Sequence, residues 1–238
     1  MFLDRNDYLE ETFFTFPFSP IRDESGSVGG LFHPVTETTS RMLSERRTRG
    51  LGDLAARAGK AQSMEEACTL AAQTLADCEL DLPFVLFYLF DTLRAEARLI
   101  ASTGLQPGGN ASPATVNLEA PQLPSWPLKE ATVSTQPQRL ADLESRFGHL
   151  SCGPYPESVK EAMVLPIIPP GSGQAVGVLI AGVSSRLPLN ESDRAFRDLL
   201  AAGVTAAVAN ARAYEEERKR AEALAEIDAC QDRVSFLM

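Results

Sequence analysis

Hydrophobic positions follow helical and then strand-like spacing along the first half of the chain. Apolar residues at helical spacing from Thr36 to Ala61 predict a charged linker helix, with Arg46 and Arg47 on its exposed side. The capping pattern Ser63-Met-Glu-Glu66 then predicts the start of a second helix. Two strands follow, at 84–90 and 96–102. The first is apolar at every position, which is typical of a strand covered on both faces.

The second half of the chain contains a long irregular region before regular structure returns. Residues 103–160 are rich in Pro, Gly, Ser and Gln, and we expect short helices at 127–132 and 138–147. A loop region of this length in a compact domain usually forms a lid or a binding loop. Two strands and a long capped helix follow, at 161–168, 175–183 and 190–228. This order predicts an α+β fold, with an antiparallel sheet, helices packed on one face and long terminal helices.

The hydrophobic pattern sets the first 36 residues apart from the rest of the chain. Residues 8–36 predict two strands joined by a turn at Asp23–Ser27, with Phe14, Phe16 and Phe18 on one face. About thirty residues are too few to bury a core of their own, so this hairpin either docks on another element or belongs to a larger domain.

The C-terminal helix changes from small residues to a strongly charged segment without a helix breaker. Every third and fourth position forms a seam of period 3.5, which predicts parallel homodimerisation through the terminal helices. Polar residues in this seam favour two helix arrangements of similar free energy. The seam consists of Leu200, Gly203, Ala207, Asn210, Tyr214, Glu217, Ala221 and Leu224.

Composition limits the classes of partner. The formal net charge of −10 disfavours nucleic acid and anionic lipid surfaces. The chain shows neither a run of apolar residues long enough for a membrane helix nor a signal-peptide pattern, so we expect no membrane insertion and a cytoplasmic location. Four scattered cysteines indicate neither a zinc site nor a disulfide framework. No cofactor is required by the sequence.

Several segments resemble the GAF family. They are Ala162-Met-Val-Leu-Pro-Ile, Val176-Gly-Val-Leu-Ile-Ala-Gly and Leu200-Ala-Ala-Gly-Val-Thr-Ala-Ala-Val-Ala-Asn-Ala, together with the capped helix and the strand at 84–90. The hairpin with Ser19-Pro-Ile-Arg-Asp-Glu-Ser-Gly resembles the last strands of a PAS domain. The order is similar to that of bacterial PAS–GAF sensor histidine kinases. It implies a PAS-like remnant at 1–36, a linker helix at 37–61, a GAF domain at 62–213 and an output helix with tail at 214–238.

Kinase motifs are missing from this sequence. Its two histidines, His33 and His149, both precede residue 214, and neither an ATP-binding asparagine box nor a glycine-rich ATP lid follows. We therefore expect a sensory fragment without its kinase core, which is not an enzyme on its own.

The GAF resemblance implies a ligand cavity between the sheet and the loops at 103–160. Its candidate wall residues could equally be ordinary core residues. Trp126, the only tryptophan, is the best reporter of an occupied cavity. The candidates are Tyr88, Phe90, Trp126, Met163, Leu165 and Ile167.

Cys152 is the candidate for redox sensing or chromophore attachment, because it lies with His149 in the predicted lid. The motifs that accompany bilin attachment and cyclic-nucleotide binding in this family are absent. No Lys or Arg lies within five residues of Cys152 to lower its pKa. A surface loop with an unrelated His and Cys is the simpler interpretation.

Three functions follow from these observations. The first is a sensory module that binds a small molecule or partner and relays the signal through its terminal helices. The second is a structural dimerisation module without a ligand. The third is a GAF enzyme that reduces free methionine sulfoxide, for which lid and strand cysteines would have to meet. The sequence does not identify the ligand.

Overall fold

The computed structural model describes residues 1–5, 8–91, 93, 95–120 and 125–236, with side chains described through Ala225. Its centre is a six-stranded antiparallel sheet in the order β10-β11-β12-β7-β8-β9. The four predicted strands are present, and two short strands extend the sheet at its edges. The strands are β7 (Val85–Asp91), β8 (Glu96–Thr103), β9 (Thr115–Asn117), β10 (Gln138–Leu140), β11 (Ala162–Ile167) and β12 (Gly177–Gly182).

Three long helices cover one face of the sheet and two short helices cover the other. Helices α2 (Met64–Leu75) and α5 (Glu191–Phe236) pack on the strands of the first face, and α1 (Thr39–Ala58) packs on these two helices. We call this the helical face. The opposite lid face carries α3 (Leu128–Val133) and α4 (Leu143–Phe147). The predicted α+β class and antiparallel sheet are confirmed.

Local sequence signals explain where the helices begin. The Ser63 hydroxyl accepts a hydrogen bond from the Glu66 amide, and the Glu66 carboxylate accepts one from the Gln62 amide. At the start of α5, the Asn190 side chain accepts from the Asp193 amide at 3.0 Å. The predicted helix at 138–147 was wrong in its first half. There Gln138–Leu140 pairs with β11 instead, and Asp142 turns the chain at a φ of 64° before α4.

The N-terminal segment forms three small antiparallel pairs, and the first of them docks on the rest of the chain. These are β1 (Phe2–Arg5) with β2 (Tyr8–Glu11), β3 (Phe14–Thr15) with β6 (Thr36–Glu37), and β4 (Ser19–Arg22) with β5 (Val28–Phe32). The Asp23–Ser27 turn is confirmed between β4 and β5. The Glu11 amide donates to the Arg186 carbonyl at 2.9 Å. The Arg186 guanidinium lies over the rings of Phe2 and Tyr155.

The β4–β5 hairpin and the residues that flank it expose many apolar side chains. The His33 ring stacks on Phe16 and Phe18, with the closer ring centroids 4.2 Å apart, yet both phenylalanines remain exposed. Exposed apolar clusters of this kind mark surfaces that are covered by another element or protein. The exposed residues are Phe16, Phe18, Ile21, Val28, Leu31, Phe32 and Val35.

Two glycines in α1 have different surroundings. A Cβ atom on Gly50 would lie 2.8 Å from Cys78 Sγ, whereas one on Gly52 would meet no atom within 4 Å. Alanine is favoured over glycine inside a helix by about 1 kcal/mol. We therefore expect Gly52→Ala to raise the free energy of unfolding by about 0.5–1 kcal/mol and Gly50→Ala to lower it, as measured by urea denaturation. Equal stabilisation by both variants would contradict this close packing.

Candidate functional site

A pocket of about 580 Å³ opens on the lid face, next to Trp126. We call it the lid pocket. Its wall is built from the start of β8, the strand β9, the loop at 108–113, the segment leading into α3 and the end of α4. The described lining residues are Glu96, Gly108, Gly109, Asn110, Pro113, Thr115, Val116, Asn117, Ala120, Ser125, Trp126 and Phe147.

Trp126 joins the lid to the sheet. Its ring lies 4.6 Å from the Phe147 ring and 6.1 Å from the Phe84 ring, between centroids. Its indole Nε1 donates to the Ala111 carbonyl at 2.7 Å, so the buried polar atom is satisfied. Trp126 is 2% exposed and still borders the lid pocket. Any molecule entering this pocket would therefore contact the edge of the indole or its neighbours.

Tyr88 and Phe90 lie on the same side of the sheet as Trp126. Tyr88 is fully buried, its hydroxyl donates to the Pro113 carbonyl at 2.9 Å, and burial raises its pKa. Phe90 packs against the same apolar cluster. Neither side chain is among the described lining residues of the lid pocket. Tyr88 supports the pocket indirectly, because its hydroxyl bonds to Pro113 in the 108–113 loop.

The other three candidate wall residues lie on the wrong face. Met163, Leu165 and Ile167 belong to the helical face, where they pack with α1, α2 and α5. Side chains alternate along a strand, so Ala162 and Val164 are the β11 residues that face the lid. The prediction that these three residues share a cavity wall with Trp126 was therefore wrong.

Polar lining residues of the lid pocket were not predicted from the sequence. Asn110 and Asn117 line it, but the Asn117 side chain already accepts from the amides of Glu119 and Ala120. The Gly108-Gly109-Asn110 run, with Gly108 at a φ of 83°, was the signal that a tight polar loop lies here. Glu96 is the only ionisable side chain among the described lining residues. The lid pocket thus suits a neutral or singly cationic polar molecule.

The described cysteines have the properties of buried thiols. Burial raises the pKa of Cys152 and of Cys78 to about 11, and that of Cys68 to about 12. Cys152 is 8% exposed, and its Sγ approaches the Leu150 carbonyl. The cysteine candidate for redox or chromophore chemistry therefore lies inside the lid core and not in an open loop.

We expect Cys152 to react slowly with alkylating agents. Only the thiolate is nucleophilic, and the ordinary thiol pKa of 9.0 rises to about 11 in the folded chain. At neutral pH the thiolate fraction falls by about 100-fold, and the rate with iodoacetamide should fall at least that much relative to a short cysteine peptide. Peptide mass spectrometry after timed labelling measures this rate. Labelling of Cys152 at the peptide rate would exclude the buried thiol.

A buried chain of alternating charges connects the N-terminal segment, α1 and α5. Arg46 donates to Glu11 and to Asp81, at 2.9 and 2.7 Å. Arg47, expected on an exposed face, is instead 6% exposed and bridges Asp81 and Asp193, at 2.8 and 3.0 Å. We call this arrangement the ionic chain.

The ionic chain ends at the sheet. Arg197 donates to Asp193 at 2.6 Å and to the carbonyls of Ala181 and Gly182 at the end of β12. Asp193 and Arg197 are each 1% exposed. Buried pairs are costly to break because a single unpaired charge remains in the interior. The first turn of α5 is therefore fixed to the entry helix and to the central sheet at once.

The predicted seam is divided between two environments. Leu200, Ala207 and the backbone at Gly203 face α1 and α2 inside the chain's own core. The seam as a single partner-facing surface was therefore wrong in its first half. The remaining seam residues through Leu224 are exposed, namely Asn210, Tyr214, Glu217, Ala221 and Leu224. Toward the start of α5 the exposed side carries Leu199, Ala202 and Ala206 instead.

The described part of the chain shows neither a metal site nor a membrane-spanning helix. No group of three or more His, Cys, Asp or Glu residues there could hold a metal ion. Within the described residues, none of the helices combines the length and apolarity needed to cross a bilayer.

Comparison with known proteins identifies the fold. No protein-family model and no curated protein sequence matches the chain. Among solved structures, it is similar to the GAF domain of a phosphoenolpyruvate-protein phosphotransferase from Coxiella burnetii, with 21% identity and a TM-score of 0.52 over 71% of this chain and 96% of that chain.

Two further structures have the same architecture. A GAF protein from Burkholderia vietnamiensis is 16% identical, with a TM-score of 0.52 over 73% of this chain and 98% of that chain. Free methionine-R-sulfoxide reductase from Neisseria meningitidis, solved with its substrate, is 17% identical, with a TM-score of 0.51 over 70% and 90%. At these identities the likeness establishes the GAF fold, as the sequence motifs predicted.

Proposed function

We propose that this chain is a sensory GAF module of a bacterial signalling protein, which binds a small molecule in the lid pocket and relays the change through α1 and α5. The ionic chain is the observation that carries this proposal. It ties the entry helix, the exit helix and the sheet together through Arg47, Asp193 and Arg197. A shift of the sheet relative to either helix would strain these bonds directly.

The lid pocket supports small-molecule binding. Trp126 and Phe147 border it, and Trp126 also packs on Phe84, which precedes the central strand β7. The Gly182 amide, next to Arg197, donates to the Phe84 carbonyl at 2.9 Å. A path of direct contacts therefore leads from the pocket wall to the ionic chain.

We propose a cytoplasmic sensor histidine kinase of the PAS–GAF type as the parent protein. In this proposal residues 1–36 are the last part of a PAS-like domain, 37–61 the linker, 62–213 the GAF domain and 214–238 the output helix. The apolar surface of the β4–β5 hairpin supports this division, because the strands of a larger sheet would cover it.

Homodimerisation remains part of the proposal, through the exposed side of α5. Leu199, Ala202 and Ala206 continue into Asn210 and Tyr214 on that side. Sedimentation velocity tests it, and we expect the double variant Asn210→Ile and Glu217→Leu to strengthen the dimer because two polar seam positions become apolar. A monomer at tens of micromolar, unchanged in the variant, would argue against this surface.

The enzyme alternative rests on the likeness to the sulfoxide reductase from Neisseria. The lid pocket has no cysteine among its described lining residues, and the raised pKa values of Cys68, Cys78 and Cys152 disfavour thiolate chemistry. An assay of free methionine sulfoxide turnover distinguishes the two functions, and we expect none.

A thermal-shift screen of neutral and cationic metabolites tests the sensory function. Ligands that raise the melting temperature should change Trp126 emission and slow amide exchange in the first turns of α5. An Asn110→Leu variant should lose the response, whereas Val133→Ala, at an exposed lid position, should keep it. If every stabilising ligand leaves Trp126 emission and α5 exchange unchanged, the ligand-free dimerisation module is the better account.

A further inference from the structure

The first strand pair, β1–β2, is docked on the loop between β12 and α5. We call this pair the strap. The Glu11 amide donates to the Arg186 carbonyl at 2.9 Å, and the Arg186 guanidinium lies 4.4 Å from the centroid of the Phe2 ring. The Phe2 ring also meets the Tyr155 ring edge-on, with their centroids 5.8 Å apart. The strap is therefore held by one backbone hydrogen bond and by aromatic contacts on both sides of an arginine.

The strap also supplies one charge of the ionic chain. That chain contains three arginines and, with Glu11, three carboxylates, so its charges balance only while the strap is docked. Arg46 donates to both Glu11 oxygens and to one oxygen of Asp81, whose other oxygen accepts from Arg47. Without Glu11, Arg46 would depend on a carboxylate that it shares with Arg47, and two like charges this close repel each other. Docking of the strap is thus linked, through α1, to Asp193 in the first turn of α5.

The contact beneath the strap also holds hydroxyl groups without partners. Tyr8 Oη, Tyr155 Oη and Ser184 Oγ are buried and have no hydrogen-bond partner among the described residues. Tyr8 belongs to β2 and lines the same cleft as Ser184, and Tyr155 contacts Phe2. An unmade hydrogen bond costs free energy in the interior but not in water. Undocking of the strap would open this contact to water, and hydration of these groups would offset part of the contacts that are lost.

We infer that the strap is a two-state switch whose undocking loosens the first turn of α5. In the docked state Glu11 completes the ionic chain, at the cost of buried hydroxyls without partners. In the undocked state the hydroxyls are hydrated, but the ionic chain keeps one positive charge too many. These opposing terms keep the two states close in free energy, which a conformational switch requires. Displacement of the strap would act on α5 without a molecule in the lid pocket. Its use as a signal input rests on the proposed relay through α1 and α5, whereas the coupling itself does not.

Glu11→Gln tests the link between the strap and α5, by hydrogen exchange and mass spectrometry on the full chain without ligand. The variant keeps the shape of the side chain but removes the charge that balances Arg46. We expect exchange to become about tenfold faster in the strap and in the first turn of α5, because a hydrogen bond between charged groups is worth about tenfold in an equilibrium constant. Exchange in β11 should keep the wild-type rate, because a local opening leaves the sheet folded.

Glu10→Gln is the matched control for this change. Glu10 and Glu11 are 8% and 6% exposed, but the Glu10 carboxylate pairs with Arg5 inside the strap and not with the ionic chain. This variant should speed exchange in the strap and leave α5 at the wild-type rate. The inference is overturned if Glu11→Gln leaves α5 unchanged, if both variants speed α5 equally, or if β11 accelerates as much as the strap.

Tyr8→Phe should have the opposite effect to Glu11→Gln. It removes a hydroxyl that has no partner in the docked state and is hydrated in the undocked state, so docking becomes more favourable. We expect exchange in the strap and in the first turn of α5 to slow by about fivefold. Tyr214→Phe, at a tyrosine of α5 that is 47% exposed, should change neither. Unchanged or faster exchange in Tyr8→Phe would contradict the switch.

These measurements separate the strap from the lid pocket. All of them are made without ligand, so a lid pocket that binds nothing would refute the proposed sensory function and leave the exchange results as they are. A ligand response at Trp126 combined with an α5 that ignores Glu11→Gln would refute the strap switch alone.

Discussion

Asp193→Asn is expected to lower the free energy of unfolding by about 3–5 kcal/mol. The Asp193 carboxylate is 1% exposed and bridges Arg47 and Arg197. An asparagine keeps the shape but removes the charge, so that the buried Arg197 guanidinium loses the carboxylate it pairs with and Arg47 is left with Asp81. Urea denaturation followed by far-UV circular dichroism measures the loss.

Glu191→Gln is the matched control for this change. Glu191 is an exposed acid in the same first turn of α5, and its contribution to the helix dipole is about 0.3–1 kcal/mol. The two variants change the net charge and the helix terminus equally. A loss for Asp193→Asn no larger than that for Glu191→Gln would mean that the ionic chain contributes little to the fold.

The ionic chain could not be predicted from the sequence, although the sequence contains each of its charged residues. Arg46 and Arg47 stand in a run of charged residues, and such runs usually mark a solvent-exposed helix face. Their partners Asp81 and Asp193 lie 35 and 146 residues away along the chain. Only the packing of α1 against α5 brings them together, and no local pattern encodes that contact.

The positions of the strands and the direction in which their side chains face were predictable to different degrees. The positions of the four main strands, including the all-apolar β7, follow from the hydrophobic pattern alone. In β11, however, residues on both faces are apolar, so no polar position indicates which side chains face the lid. The register with β12, which pairs Leu165 with Leu179, decides this, and it depends on the whole sheet.

The rotation of α5 was ambiguous for a similar reason. Alanines occur on every side of this helix between residues 201 and 213, so several seams of period 3.5 fit the sequence equally well. The larger residues Phe196, Val204 and Val208 select the side that packs on α1 and α2. Over its first half the predicted seam is therefore displaced by about one residue from the side of α5 that is exposed.

Trp126→Ala is expected to destabilise the chain by about 3–5 kcal/mol, because it leaves a cavity between Phe84 and Phe147. It also leaves the Ala111 carbonyl without the donor that holds the 108–113 loop. Urea denaturation measures the loss, and Val133→Ala in the same lid is the control. Val133 is 84% exposed, so its truncation should change stability by less than about 0.5 kcal/mol.

Trp126→Phe separates the packing of the ring from its hydrogen bond. Phenylalanine retains most of the contact with Phe147 but has no donor for Ala111, so its cost should be about 1–3 kcal/mol. If both variants cost the same, the hydrogen bond holds the lid in place and the ring contributes little. If Trp126→Phe is neutral, the lid is held by packing alone, and the 108–113 loop is free to rearrange when a molecule enters the lid pocket.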